Sequence, residues 1–238
     1  FFNLFKSKPA LKELIPNGFV DIHSHILPGI DDGAKNIEES IKLIDKMEEM
    51  GFAKIIGTPH IYPGLYDNTN ESIKKSFNKI QNKKSTIDYA SEYMIDLSLI
   101  KSAEKKSLLT LNENYVLIES SLIYPSKHIY EIIFQLRING YIPILAHPER
   151  YTYYTNDFNE FYKLKRAGCL FQINLLSTTG YYGSPTTKLA KKLLKKKLID
   201  FAGTDIHNIN HVNNFGKKVI VGEPEYITKL MDRNQIFI

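Results

Sequence analysis

His23-Ser24-His25 puts two imidazoles two residues apart. On an extended segment both rings share one face and reach one ion. Asp205-Ile206-His207 repeats the spacing with a carboxylate in first place. Either pair alone is a weak signal. His60 follows the Thr58-Pro59 turn, His147 opens His147-Pro148-Glu149-Arg150, and acids stand at Asp31, Asp32, Glu92 and Glu119. Imidazoles and carboxylates without thiolate suit manganese, iron or zinc better than calcium or copper(I). With one of Asp31 and Asp32 taken, nine such ligands exceed what one ion uses, and three divalent ions sharing bridging carboxylates fit the count. Against their six positive charges, Asp32, Glu92, Glu119 and Asp205 set four negative ones, leaving about +2. A site of that sign attracts a phosphomonoester dianion and lowers the pKa of a bound water toward ~7. Arg150, three residues after His147, adds a fork-shaped phosphate donor.

Such residues converge only if the chain brings them together. Short apolar runs at 18–22, 54–58, 88–95, 115–119, 141–146, 169–175 and 199–203 are β-branched or aromatic-rich and bounded by turn residues, which predicts buried strands. Helical spacing fills the gaps. Asn36 with Glu39 reads as a capping box, followed by Ile37, Ile41, Ile44 and Met47 and a stop at Gly51. Further helices are expected over 70–83, 129–139, 157–166 and 186–197. Strands alternating with helices imply a parallel sheet. Seven strands without a break favour a closed barrel over an open doubly wound sheet, and no Gly-rich phosphate loop follows the first strand. Six of the seven histidines then fall in loops or at strand ends on one rim, where barrel active sites form. His128 is the exception and reads as structural or exposed.

The 238 residues, 43% of them hydrophobic, suffice for a sizeable core, and we expect one domain over 18–238 preceded by an extension, 1–17. That extension lacks the pattern of a secretory leader and is expected to pack on the barrel bottom or to mediate assembly. No apolar run approaches the ~20 residues of a membrane span. The single cysteine, Cys169, precludes an internal disulfide and points to the cytoplasm. It lies in an apolar run without a Cys-x5-Arg loop, so it reads as a packed thiol rather than a nucleophile. The net charge of +5 is concentrated in Lys188, Lys191, Lys192, Lys195, Lys196 and Lys197. These read as a solvated helix face, or as a patch for an acidic partner or membrane surface. No aromatic residues interleave with them, which argues against nucleic acid.

Asp21-Ile22-His23-Ser24-His25, Asp31-Asp32-Gly33, Thr58-Pro59-His60, His147-Pro148-Glu149-Arg150-Tyr151 and Asp205-Ile206-His207-Asn208 together resemble the polymerase-and-histidinol-phosphatase (PHP) superfamily. More narrowly, they resemble its bacterial protein-tyrosine phosphatases of capsule and exopolysaccharide synthesis, the CpsB/CapC/YwqE type, from about Gly18 to Asn208. The resemblance implies an α/β fold, a distorted (β/α)7 TIM-like barrel, with a trinuclear centre that is often manganese. Its implied ligands are His23, His25, Asp32, His60, Glu92, Glu119, His147, Asp205 and His207, with Arg150 as phosphate-binding arginine. Its implied substrate is phosphotyrosine on the tail of a membrane-associated tyrosine kinase that controls polysaccharide chain length. A homo-oligomer is compatible with it.

The sequence departs from the family pattern in places. Some members carry a second arginine a few residues past the Asp-x-His motif; 208–213 holds none, and His211 is the candidate replacement. Glu92 matches its motif loosely, with Asp96 as fallback, and Asp31 against Asp32 is a choice of one residue. The expected chemistry is direct attack of a metal-activated hydroxide on phosphorus, with Arg150 on the equatorial oxygens and His207 or His211 protonating the leaving group. Tyr62, Tyr66, Tyr124, Tyr151 and Tyr153 are candidates to stack on a phosphotyrosine ring. The rival readings are a histidinol-phosphate phosphatase, a metal-dependent deaminase or amidohydrolase, and an inactive kinase-binding module.

Overall fold

A computed structural model describes residues 8–82, 84 and 86–238. Its strands are β1 (Phe19–Ser24), β2 (Phe52–Gly57), β3 (His60–Ile61), β4 (Ile87–Tyr89), β5 (Glu92–Met94), β6 (Tyr115–Glu119), β7 (Ile142–Ala146), β8 (Leu170–Asn174) and β9 (Phe201–Gly203). The helices are α1 (Ile37–Glu49), α2 (Asn70–Asn78), α3 (Ser98–Glu104), α4 (Ile129–Ile138), α5 (Asn159–Arg166), α6 (Ser184–Lys195), α7 (Ile209–Asn214) and α8 (Pro224–Asp232).

All strand pairs are parallel, in the orders β1-β2-β4 and β3-β5-β6-β7-β8-β9. β2 and β3 are one run interrupted at Thr58-Pro59, and β4 and β5 are one run interrupted at Ala90-Ser91. Proline cannot donate to a ladder, so the interruption at Pro59 follows from its chemistry. The amide of Ala90 donates to Gly57 O at 2.9 Å and that of Glu92 to Pro59 O at 3.1 Å, so the two interrupted runs stay side by side. Seven strand positions result, as the alternation predicts, with 88–95 split in two. The first and last positions meet through one isolated parallel bridge, Ser24 to Ile206, rather than a ladder.

Inside the ring, Val20, Ile22, Ile56, Leu117, Ile144 and Phe201 pack around Phe237 from the C-terminal 3-10 turn, Arg233–Phe237. The Asn234 side-chain amide donates to Val20 O at 2.8 Å and Ala202 O at 2.6 Å, fixing that plug at the N-terminal ends of the strands. Among the described residues the floor is thus filled from the C-terminus. In residues 8–14, Leu11 and Lys12 donate to Lys217 O and Phe215 O, both at 2.9 Å. Residues 1–7 of the expected extension, and Lys83 at the end of the helix expected over 70–83, lie outside the described residues.

The helices cover the outside with their apolar faces. α1 buries Leu43, Ile44 and Met47. Asn36 Oδ1 accepts from Glu39 N at 2.9 Å, as the capping pattern predicts, but the Glu39 carboxylate accepts from Lys35 N at 3.0 Å instead of the cap residue. α6 buries Leu189, Leu193 and Leu194 and leaves its lysines exposed, the solvated face of the sequence reading.

Candidate metal centre

The candidate ligands sit at the C-terminal end of a strand, in the loop beyond it or, for His60 and Glu92, where an interrupted strand run resumes, so parallel pairing gathers them on one rim. His23 and His25 end and follow β1, His60 opens β3, Glu92 opens β5, Glu119 ends β6, His147 follows β7, and Asp205 and His207 follow β9. His147 (φ 33°) and Asp205 (φ 53°) both take left-handed backbone, which the clash of Cβ with the following carbonyl disfavours by about 1–2 kcal/mol. Turning the chain that way right after the strand aims both side chains back over the ring.

The donors form four groups whose ligand atoms lie within 4.8 Å of one another: His25, Asp32, His60 and His207; His23, His147 and Asp205; His23, His25 and Glu92; and His60, Glu92 and Glu119. His23, His25, His60 and Glu92 each belong to two groups. Glu92, the loosest match to the family motif, is therefore the most shared of the acids. Its fallback Asp96 lies outside the groups and accepts from the Ser98 amide at the start of α3. Asp32, not Asp31, joins a group. Asp31 instead holds that group in place: its Oδ2 accepts from His25 Nδ1 at 2.7 Å and from His60 N at 3.2 Å, and its Oδ1 from Gly33 N at 2.9 Å.

The donor set fits cations. Fully buried Glu92 Oε2 has no aligned hydrogen-bond donor, yet His23 Nε2 (3.2 Å), His25 Nε2 (3.4 Å) and His60 Nδ1 (3.2 Å) surround it. His23 and His25 face each other through their Nε2 atoms at 3.3 Å. Lone pairs crowded this closely need protons or metal ions between them. The far ring nitrogens are already committed: His23 Nδ1 donates to Gln172 Oε1 at 2.8 Å and His207 Nδ1 to Asp205 O at 2.9 Å. Such bonds leave Nε2 free as the ligand atom.

The electrostatics follow. Burial pushes His23 down, but the Glu92 and Asp205 carboxylates outweigh it and raise the ring to about 9. Against its own burial, Glu92 is held well below the usual carboxylate range by His23 and His147. Asp205 is held low in the same way by His23, His207 and Arg150. His211 differs: burial and the neighbouring His207 push it below the usual histidine range. It lines the cavity with its Nδ1 3.1 Å from Asp205 O, so it offers a hydrogen bond there rather than an arginine's charge.

The groups open into a cavity of about 350 Å³ lined by Asp32, His60, Glu119, Arg150, Tyr182 and His207, among others. Arg150 Nη1 donates to Asp205 Oδ2 at 2.9 Å, and its guanidinium lies 4.7 Å from the centre of the Tyr182 ring. Asn174 Nδ2 donates both to Asp205 Oδ2 and to the Tyr182 hydroxyl, each at 2.9 Å. Beneath it, buried Glu149 accepts from Asn174 N at 2.9 Å and Ser177 Oγ at 2.7 Å, and burial lifts its carboxyl to about 7.

Gln172, Asn174 and Tyr182 are absent from the sequence reading. Gln172-Ile173-Asn174 carried a signal, two polar side chains at strand period inside an apolar run. Tyr182 carried none. Of the five tyrosines expected to stack, Tyr151 is fully buried with its hydroxyl accepting from Ser120 N, so it is unavailable. Tyr153 binds Ser120 Oγ and Ser121 O. Tyr62, Tyr66 and Tyr124 line open cavities beside the site. His128 is exposed, beside Glu131, away from the rim groups.

Comparison with known proteins points one way. Residues 19–217 match the family model for capsular polysaccharide synthesis, CpsB/CapC. The chain is 32% identical over 203 residues to the putative tyrosine-protein phosphatase CapC of Staphylococcus aureus, covering 81% of this chain and 78% of that protein. It is 30% identical to the tyrosine-protein phosphatase YwqE of Bacillus subtilis, over 82% of this chain and 79% of that one. A crystal structure from work on YwqE and on CpsB of Streptococcus pneumoniae, described as metal-dependent tyrosine phosphatases, superposes with a TM-score of 0.75 at 28% identity, covering 90% of this chain and 86% of that one. Histidinol phosphate phosphatase from Lactococcus lactis shares the fold, with a TM-score of 0.56 at 14% identity over 90% of this chain and 94% of that one.

Proposed function

The chain belongs to the CpsB/CapC family of capsular polysaccharide synthesis, and from that premise we propose that it is a metal-dependent protein-tyrosine phosphatase. The observation that carries this is the set of interlocking donor groups sharing His23, His25, His60 and Glu92, with Arg150 in the same cavity. We propose three divalent ions, manganese by preference, held by His23, His25, Asp32, His60, Glu92, Glu119, His147, Asp205 and His207. Such ions polarise phosphoryl oxygens and supply hydroxide from water near neutral pH.

The chain's own groups do the rest. Arg150 takes the equatorial phosphate oxygens, already pre-aimed by Asp205 and the Tyr182 face. His211 carries a proton to the leaving phenolate, whose moderate pKa asks little of an acid; His207, with Nδ1 held by Asp205 O and Nε2 turned to the donor group, has no ring nitrogen left for that role. Tyr62, Tyr66 and Tyr124 receive the substrate ring. The proposed physiological substrate is a phosphotyrosine tail of a membrane-associated tyrosine kinase that regulates polysaccharide length. The proposed compartment is the cytoplasm, supported by the lone buried thiol. No helix among the described residues is long and apolar enough to cross a membrane.

The manganese-loaded protein should hydrolyse a phosphotyrosine peptide, lose that activity to a chelator, and lose it in His147→Ala. Turnover of histidinol phosphate alone would overturn the substrate, and full activity in His147→Ala would overturn the site.

A further inference from the structure

Three exposed apolar side chains gather on one side of this rim. Ile123 is 83% exposed, Leu65 62% and Leu122 43%. All three line a second cavity, about 360 Å³, whose inner wall is Asp32, His60 and Glu119 of the donor groups. A third cavity continues it past Tyr62 and Met94 to Tyr124. The other side of the catalytic cavity is polar, with Tyr182, Asn208 and His211.

Both apolar tips stand on preformed turns. Tyr62 and Tyr66 exchange backbone hydrogen bonds at 2.9 and 2.8 Å, Gly64 takes φ +81°, and Asp67 caps its amide at 2.7 Å, which presents Leu65 at the apex. On the facing loop the Tyr153 hydroxyl donates to Ser121 O at 3.1 Å, and Ser121 Oγ accepts from Ile123 N at 3.2 Å. Ordered turns that hold branched apolar side chains in water, continuous with a catalytic cavity, mark a recognition surface.

We propose that this groove is a subsite for an apolar side chain next to the phosphotyrosine in the substrate polypeptide. The proposal rests on the tyrosine-phosphatase reading. Its occupant follows from continuity: a phosphoryl group among His60, Glu119 and Asp32 leaves the flanking residues of its chain against Leu65, Leu122 and Ile123. One apolar side chain seated in such a groove gives about tenfold in kcat/KM.

The test uses the full, manganese-loaded chain and two phosphotyrosine peptides that differ only in having Leu or Ser as immediate neighbours of the phosphotyrosine. The wild type should favour the Leu peptide by about tenfold in kcat/KM. Ile123→Ser and Leu65→Ser should each bring that ratio toward one. Peptide hydrolysis with a flat wild-type ratio, or a ratio unmoved by either substitution, overturns the subsite alone. Hydrolysis of p-nitrophenyl phosphate with neither peptide turned over overturns the tyrosine-phosphatase reading and the subsite with it. A wild-type dimer in sedimentation that becomes a monomer in Ile123→Ser assigns the groove to a second copy and overturns the subsite.

Discussion

Arg150 is gripped from two directions, by the Asp205 carboxylate and by the Tyr182 ring face, and Asn174 ties those two partners to each other. A guanidinium so held aims its free N–H groups before substrate arrives. Arg150→Ala should therefore lower kcat/KM for a phosphomonoester about a hundredfold. Tyr182→Ala should lower it about tenfold, with Tyr182→Phe in between, since only the hydroxyl bond is lost. Equal kinetics for Tyr182→Ala and wild type would remove the ring from this account. The histidines make a second prediction. His23 lies at about 9, so at neutral pH protons hold places that ions must take. Calorimetry in buffers of different ionisation enthalpy should read proton release on manganese uptake at pH 7, and affinity should weaken as pH falls. Without metal the sign is fixed by the same ring: a histidine raised from 6.5 to about 9 adds stability that is full below 6.5 and lost as pH rises through 9. Chelated protein should melt at lower temperature across that window, and no change would contradict the assignment.

Loops between strand and helix carry more of the site than the strands do, and they tolerate little. A Cβ on Gly33 would fall 2.0 Å from His25 O, and at the end of β9, where the next loop begins, one on Gly203 would fall 2.8 Å from His23 Cβ. Gly33→Ala should displace His25 and Asp32 together and reduce bound metal, read by elemental analysis. Stoichiometric metal in Gly33→Ala would show the loop to be more compliant than its packing implies. The strands and the rim were legible because β6 and β7 are unbroken apolar runs, and β1 one interrupted only by Asp21 before its histidines, with ligands at or just past their ends. The split of 88–95 was less so, because Tyr89-Ala90-Ser91 has no breaker of its own and interrupts only where its neighbour has Pro59. α3, α7 and α8 escaped the reading for different reasons. α7 is six residues of poor helix formers held by Asn208, whose side chain accepts from Asn210 N and His211 N. α8 had a signal, Pro224 at the first turn with Ile227, Leu230 and Met231 at helical spacing. The donor groups were legible as residue types at strand ends. Arg150's clamp was not, because Tyr182 reaches it from a turn that only the fold brings near.

At the scale of the molecule, two layers share the burial: a small plug inside the ring around Phe237, and a larger outer layer beneath the helices. Cys169 sits in the outer layer, fully buried, and burial lifts its thiol to about 12. It should resist a disulfide reagent at pH 8 in the native protein and react at once in denaturant, so its labelling rate reports global unfolding; fast native labelling would contradict this packing. Ring closure itself is thin. The Thr204 hydroxyl donates to Asp21 Oδ2 at 2.6 Å and lies 3.2 Å from His23 O, contacts 183 and 181 residues apart in sequence, yet the strands they join share one bridge. Cations seated between His23 and Asp205 would act there as a removable cross-link across that span. The entropy of closing so long a loop grows with the logarithm of its length, as for a disulfide. Starved of its ions, such a chain would open first along this seam, and protease resistance would fall along with turnover. Metal supply would then set the lifetime of the protein as well as its rate.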